Sequence, residues 1–154
     1  KRPDHTIAMR PRLVLDTNTI LALWMFRDPR LLSLRDWIES GACTLAARED
    51  ALTELCHVLA YPQFKLEELS RQTLLEGYRA RIDHWSAEAS AQALALPACR
   101  DTDDQKFLET ALDTSASALI TRDKALLRLA RHRLVRDDFA ILTPERFLSQ
   151  LPAP

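Results

Sequence analysis

The chain has 154 residues, 47% hydrophobic and 28% charged, the composition of one ordinary globular domain with a sizeable core. Its formal net charge is −1, so the whole molecule carries no field that attracts a polyanion, and a nucleic-acid site would need a local basic patch. The three cysteines are widely spaced, which disfavours a disulfide framework and a structural zinc site and favours the reducing cytoplasm. No apolar run approaches the roughly 20 residues of a membrane span, which disfavours a membrane location.

The first predicted element is a short strand from Leu13 to Leu15, whose unbroken apolar run is typical of a strand buried on both faces of a parallel sheet. Asp16 follows at once, and Asn18 leads into a helical pattern over residues 20–26. An acid at this junction lies at the carboxyl edge of the sheet, where open α/β folds bind ligands. Helix capping is the alternative role, because Asp and Asn are both good N-caps.

The next predicted elements are helices and one further strand. Apolar spacing and breakers predict a helix over residues 31–38 that ends at Gly41, a strand over residues 42–46, a helix over residues 48–60, and two helices between residues 66 and 96. Glu54 lies at the border of the apolar arc of its helix. From that position its carboxylate can reach around the edge of the core.

An acidic segment opens the following helix. Thr102, with Gln105 three residues later, predicts a capping box at its start. Asp104 falls near the middle of the apolar arc of this helix, so its carboxylate needs a cation or must be neutral. Asp101 and Asp103 have the alternative role of stabilising the helix N-terminus through its dipole.

The pattern of the first strand recurs later in the chain. An apolar strand over residues 118–121 is followed by Asp123 and a helix over residues 125–131. By the same reasoning as for Asp16, Asp123 is expected at the carboxyl edge of the sheet.

The remaining predicted elements are a strand over residues 139–143 and a closing helix that begins at Pro144. No linker, repeat or low-complexity segment divides the chain. We therefore predict a single domain over residues 12–151, preceded by an N-terminal extension over residues 1–11.

Four acids each start or border a helix beside a predicted strand end: Asp16, Glu54, Asp104 and Asp123. Carboxylates that converge at one sheet edge repel one another, so their convergence implies a hard cation such as Mg²⁺ or Mn²⁺. An ion held in this way can activate water and stabilise charge on a phosphodiester. Asn18 and Thr121 can orient ligands or waters around it.

Several segments together resemble the PIN-domain family, most closely its branch of toxin components of bacterial type II toxin–antitoxin systems. The similarity runs from about Leu13 to Phe147 and rests on residues 13–18, Glu54 in its leucine-rich helix, residues 101–108 and residues 119–127. The resemblance implies an α/β fold of three layers, α/β/α, with a central, mostly parallel five-stranded sheet.

The same resemblance implies Mg²⁺- or Mn²⁺-dependent hydrolysis of RNA by the toxin of a toxin–antitoxin pair. Its metal-binding, catalytic quartet carries over as Asp16, Glu54, Asp104 and Asp123. Asn18 and Thr121 are the accompanying polar positions, and Asp101 is a further candidate. The implied partners are an RNA substrate, a cognate antitoxin and a second copy of the chain in a homodimer.

Basic residues follow the last of the four acids. The candidates for phosphate contacts are Arg122, Lys124, Arg128, Arg131 and Arg133. A solvated basic helix face is the alternative interpretation. Arg122 stands where many relatives have glycine, so it either crowds the site or contacts a phosphate.

Three other functions fit the residues less well. A haloacid-dehalogenase-like phosphatase needs an acid two residues after Asp16, where this chain has Asn18. A catalytically idle PIN-like binding module has no reason to tolerate the mutual repulsion of four acids. A nuclease directed at branched DNA usually carries long helical insertions, for which 154 residues leave little room.

Overall fold

The structure is a computed structural model that describes residues 10–151. In this part of the chain, five strands form an all-parallel sheet in the order β3-β2-β1-β4-β5. The strands are β1 (Arg12–Leu15), β2 (Thr44–Arg48), β3 (Ile82–Ser86), β4 (Ala118–Ile120) and β5 (Ala140–Leu142). The predicted α/β class and five-stranded sheet are confirmed, and the sheet is wholly rather than mostly parallel.

Helices connect the strands, and a last helix follows β5. They are α1 (Thr17–Ile20), α2 (Leu32–Glu39), α3 (Glu49–Leu59), α4 (Glu68–Arg81), α5 (Ala91–Leu94), α6 (Gln105–Asp113), α7 (Lys124–Leu127) and α8 (Pro144–Ser149). A π-helical turn (Leu21–Met25) extends α1, and short 3₁₀ turns (Pro29–Leu31, Pro62–Phe64 and Thr102–Asp104) precede α2, α4 and α6.

The core has two parts, one on each face of the sheet. Leu13 and Leu15 of β1 pack into one part, together with apolar residues of α2, α3 and α4. Val14 points to the opposite face and packs against residues of α6 and α7. Because successive strand residues alternate between faces, only a strand covered on both sides needs an unbroken apolar run. This alternation explains the Leu13–Leu15 pattern and gives the predicted three layers.

The register of the two central strands fixes the position of the polar residues that follow them. Leu15 of β1 pairs with Ile120 of β4, so both strands end at the same level of the sheet. The Asp16 N–H donates to the Ile120 carbonyl at 3.3 Å. Asp16 and Thr121 consequently stand side by side at the carboxyl edge.

Two strands differ from the sequence prediction. β2 begins at Thr44 rather than residue 42, because Gly41 makes a left-handed turn (φ +84°) before the chain reaches the sheet. β3 lies in a stretch that was predicted as helix. It is an edge strand, in which only Ile82 is buried, so it lacks the apolar run that marks the central strands.

Helix ends also differ from the prediction. The prediction of a capping box formed by Thr102 and Gln105 is wrong. Asp101 caps the turn before α6 instead, and its carboxylate accepts from the Asp103 N–H at 3.0 Å. Gln105 instead accepts from the Cys99 N–H at 2.6 Å and donates to the Pro97 carbonyl at 3.1 Å.

The last predicted helix before β5 is shorter than expected. The α-helix α7 ends at Leu127 and the chain continues in turns, whereas a helix up to residue 131 was predicted. Pro144 begins α8 as predicted.

Most of the predicted N-terminal extension, residues 1–9, lies outside the described residues. The last two residues of the extension form hydrogen bonds with the domain. The Arg10 guanidinium donates to the Gly41 carbonyl at 2.8 Å, and the Pro11 carbonyl accepts from the Thr44 N–H at 2.9 Å. The division into an extension and a domain over residues 12–151 stays a prediction. Within residues 10–151, no helix has both the length and the apolar character needed to cross a membrane.

Candidate functional site

Acidic side chains from separate parts of the chain line one cleft of about 300 Å³ at the carboxyl edge of the sheet. The carboxylates are those of Asp16, Glu54, Asp101, Asp103, Asp104 and Asp123. Asn18 lines the same cleft. The structure thus brings together all four acids of the predicted quartet, with two more from the segment before α6.

Asp16 is the deepest of these acids and is only 4% exposed. One carboxylate oxygen caps α1 by accepting from the Thr19 N–H at 2.9 Å, and the other accepts from the Thr121 hydroxyl at 2.5 Å. Burial raises the pKa of Asp16, and the hydrogen bonds from Thr121 and Thr19 offset only part of that rise. Capping and membership of the cleft, which the sequence posed as alternatives, are therefore both true of Asp16.

Thr121 connects Asp16 to Asp123. Its hydroxyl is fully buried, and while it donates to Asp16 it accepts from the Asp123 N–H at 2.9 Å. The Asp123 carboxylate caps α7 by accepting from the Ala125 N–H at 2.7 Å. A single buried hydroxyl thus links the two acids that follow β1 and β4.

The tightest group of ligand atoms is formed by Asp101, Asp104 and Asp123, each of which offers a carboxylate oxygen within 4.8 Å of the others. Partial burial, together with the hydrogen bond and negative charge of Asp123, raises the pKa of Asp104 to about 7. Asp104 is half-buried at the start of α6 rather than set into its apolar face, as the sequence had suggested. The raised pKa of Asp104 therefore comes from neighbouring acids as well as from burial.

Glu54 reaches the cleft from the middle of α3. One carboxylate oxygen accepts from the Thr17 hydroxyl at 2.6 Å, and the other lies 3.3 Å from the Lys106 ammonium. Lys106 also donates to the Asp103 carbonyl. Lys106 thus places a positive charge of the chain's own among the acids, a role that no pattern in the sequence indicated.

The donor set fits a small divalent cation. Mg²⁺ and Mn²⁺ take oxygen ligands, of which carboxylates are the commonest charged kind in proteins. Asp101, Asp104 and Asp123 would supply three such oxygens, which lie within 4.8 Å of one another. The open cleft leaves room for waters, which Mg²⁺ retains.

The predicted supporting residues differ in their contacts. Thr121 holds two acids, as described above, whereas Asn18 is exposed at the cleft. Asp101, a further candidate from the resemblance, belongs to the tightest group of acids. The metal-binding roles of all these residues stay predictions.

The basic candidates also fall into two kinds. The Arg122 guanidinium forms ion pairs with Glu145 and, at 3.4 Å, with Asp28, so its charge is already neutralised. The other four candidates are exposed, and none of them has an ion pair with another described residue. They are Lys124, Arg128, Arg131 and Arg133.

A larger cleft of about 580 Å³ lies between α4 and the π-helical turn. Its walls include Trp24, Leu69 and Tyr78, and Glu39 is the one acid among its lining residues within the described chain. It lacks the several oxygen ligands that a hard cation needs. We therefore place the candidate site in the smaller, acidic cleft.

Comparison with known protein families matches residues 12–125 to the PIN domain. The matched segment contains Asp16, Glu54, Asp104 and Asp123 and covers most of the chain. A search among curated proteins finds no match to this sequence. The protein therefore belongs to the PIN-domain family, whose members are generally nucleases that depend on divalent metal ions.

Proposed function

We propose that this protein is a Mg²⁺- or Mn²⁺-dependent endoribonuclease. The observation that carries the proposal is the convergence of carboxylates from β1, α3, the turn before α6 and the end of β4 in one cleft. Asp16, Glu54, Asp104 and Asp123 are the proposed metal ligands, with Asp101 beside them. A bound divalent ion would supply an activated water and stabilise negative charge on the phosphodiester under attack.

The chain's own residues prepare the site for this reaction. Thr121 and the Thr19 N–H hold Asp16 in one orientation, and the Thr17 hydroxyl does the same for Glu54. Lys106 partly neutralises the acidic cleft, which reduces the repulsion that a phosphate would meet there. The exposed basic residues after Asp123 supply sequence-independent contacts to further phosphates.

The decisive test is cleavage of a mixed pool of single-stranded RNA by the purified protein with Mn²⁺ or Mg²⁺. We expect Asp104→Asn and Asp123→Asn to lower kcat by more than the roughly 10- to 100-fold loss seen when a residue only supports a metal ligand. Asp36→Asn is a matched control, because Asp36 is exposed on α2 and does not line the acidic cleft.

Three outcomes would contradict the proposal. Full activity in Asp104→Asn would remove the site assignment. Failure of the wild type to cleave RNA with either ion would favour the idle binding module. Faster cleavage of DNA than of RNA of the same sequence would instead favour a DNA-directed nuclease.

We further propose that the enzyme is the toxin of a toxin–antitoxin pair, acts as a homodimer and is neutralised by a cognate antitoxin. The support is the resemblance of the acidic motifs to that branch of the family. Induced expression in a bacterial host should arrest growth, and Asp104→Asn should abolish the arrest without lowering expression. Light scattering of the purified protein tests the dimer, and growth unaffected by the wild type contradicts the toxin role.

A further inference from the structure

An aromatic surface borders the acidic cleft. Tyr61 and Phe64 line the cleft together with the proposed metal ligands. Their rings are stacked, with centroids 6.1 Å apart and planes at 21°, and Phe26 meets Phe64 edge-on at 5.7 Å. Despite its contact with Phe64, Tyr61 is still 45% exposed. A large part of Tyr61 is therefore open to solvent beside the acids.

The turn that carries these rings is held in one conformation. Pro62 fixes the backbone at its first position, and the Phe64 N–H donates to the Tyr61 carbonyl at 3.1 Å. The Lys65 N–H donates to the Pro62 carbonyl at 3.1 Å, and Lys65 closes the turn in a left-handed conformation (φ +52°). The Tyr61 ring is thus presented by a short, hydrogen-bonded turn rather than by a long loop, which lowers the entropy lost when a ligand stacks on it.

The neighbourhood of the ring indicates what would bind to it. A nucleobase is uncharged, so the carboxylates of the cleft do not repel it, and it has an aromatic face that can stack on a tyrosine ring. Unpaired bases stack on exposed aromatic side chains in proteins that bind single-stranded nucleic acid. A base within a duplex is already stacked on its neighbours and cannot use such a surface.

On the basis of the proposed ribonuclease function, we infer that Tyr61, backed by Phe64, forms a stacking subsite for one unpaired nucleobase next to the scissile phosphate. Because only an unpaired base has a free face for stacking, the inferred substrate is a single-stranded segment of RNA. It contributes binding and position of the substrate and takes no part in the chemical step.

The test compares three variants on a single-stranded RNA and on the same RNA annealed to its complement, with Mn²⁺. Tyr61→Ala removes the ring, Tyr61→Phe keeps it, and Trp85→Ala removes an exposed aromatic ring of β3 that does not line the cleft. We expect Tyr61→Ala to raise KM about 5- to 100-fold with little change in kcat, as for the loss of one stacked base. Tyr61→Phe and Trp85→Ala should retain the wild-type KM, and the duplex should be a poor substrate.

A second measurement does not depend on catalysis. An RNA that carries 2-aminopurine reports stacking through the quenching of its fluorescence, and we expect the wild type and Tyr61→Phe, but not Tyr61→Ala, to quench it. Such quenching without RNA cleavage would support the subsite and contradict the ribonuclease. Normal cleavage with an unchanged KM in Tyr61→Ala, or equal cleavage of the duplex, would overturn the subsite and leave the ribonuclease standing.

Discussion

Thr121 shows how one buried side chain can position two acids. Its hydroxyl is fully buried at the end of β4, donates to the Asp16 carboxylate and accepts from the Asp123 N–H. A buried carboxylate that lacks hydrogen bonds is costly, so this hydroxyl lowers the free energy of placing Asp16 at the bottom of the cleft. Thr121 is therefore a positioning residue, which acts on the site through its two acidic neighbours.

We expect Thr121→Val to lower the free energy of unfolding by about 1–3 kcal/mol, because the variant keeps the shape of the side chain but leaves Asp16 with one fewer donor. RNA cleavage should fall as well. Thermal unfolding and kcat with saturating Mn²⁺ check both effects.

Thr121→Ser is the matched control, since serine keeps the hydroxyl. It should retain most of the activity. Loss of activity in both variants to the same extent would mean that the methyl group of Thr121, rather than its hydrogen bonds, matters to the site.

At the scale of elements, the N-termini of short helices orient the acidic side chains that cap them. Asp16 and Asp123 each follow a central strand and cap the helix that comes next, and Asp101 caps the turn before α6. An N-cap must have its carboxylate beside the first N–H groups of the helix, which fixes its direction. The parallel sheet sets β1 and β4 level, so two capped helix starts meet at one edge.

The segment after α7 is the element predicted to hold the RNA backbone. Conversion of Arg128, Arg131 and Arg133 to Gln should weaken the binding of all RNA sequences alike. The slope of log affinity against log salt concentration should fall by about 0.7 for each phosphate of a single strand that the variant no longer neutralises. Binding titrations at several salt concentrations measure this slope.

Arg122→Gln is a control from the same region. The charge of Arg122 is already paired with Glu145 and Asp28, so its removal should leave the slope nearly unchanged. An unchanged slope in the triple variant would assign the other arginines to a solvated basic surface.

At the scale of the whole molecule, the acids that could bind a cation lower the free energy of unfolding of the metal-free protein, because they are partly buried and repel one another. The pKa of Asp104 is about 7 in the folded protein and has its ordinary value of 3.8 in the unfolded chain. Between these values the folded state holds a proton that the unfolded state has lost, so the free energy of unfolding decreases as pH rises from about 4 to about 7. This contribution to the pH dependence applies to the protein without metal.

Asp104→Asn should therefore stabilise the protein in chelator at pH 8 by about 0.5–2 kcal/mol, once solvent screening of a half-exposed carboxylate is allowed for. It should also flatten the pH dependence between pH 4 and 7. Mn²⁺ at about 100 times its Kd should stabilise the wild type by about 2.7 kcal/mol and the variant by much less.

Thermal melts of both proteins in chelator and in Mn²⁺, at pH 5 and pH 8, measure these differences. Asp36→Asn should melt like the wild type under every condition. A lower melting temperature of Asp104→Asn in chelator, with an equal gain from Mn²⁺, would make Asp104 a structural residue and place the metal elsewhere.

The sequence by itself determined the central strands, the main helices and the acids that follow β1 and β4. Leu13–Leu15 and Ala118–Ile120 are unbroken apolar runs because both strands are covered on two faces, and that signal is local. Asp16 and Asp123 could be placed at one edge because all strands of a parallel sheet end on the same side.

Only the tertiary structure decided which side chains meet. β3 has no apolar run because it has one neighbouring strand, and its position depends on pairing with β2. Lys106 lies 52 residues from Glu54 in sequence, and Arg122 is 94 residues from Asp28. Contacts of this kind follow from the packing of distant elements, and no local pattern of residue types encodes them. For the same reason, the placement of Tyr61 beside the acids could be seen only in the folded chain.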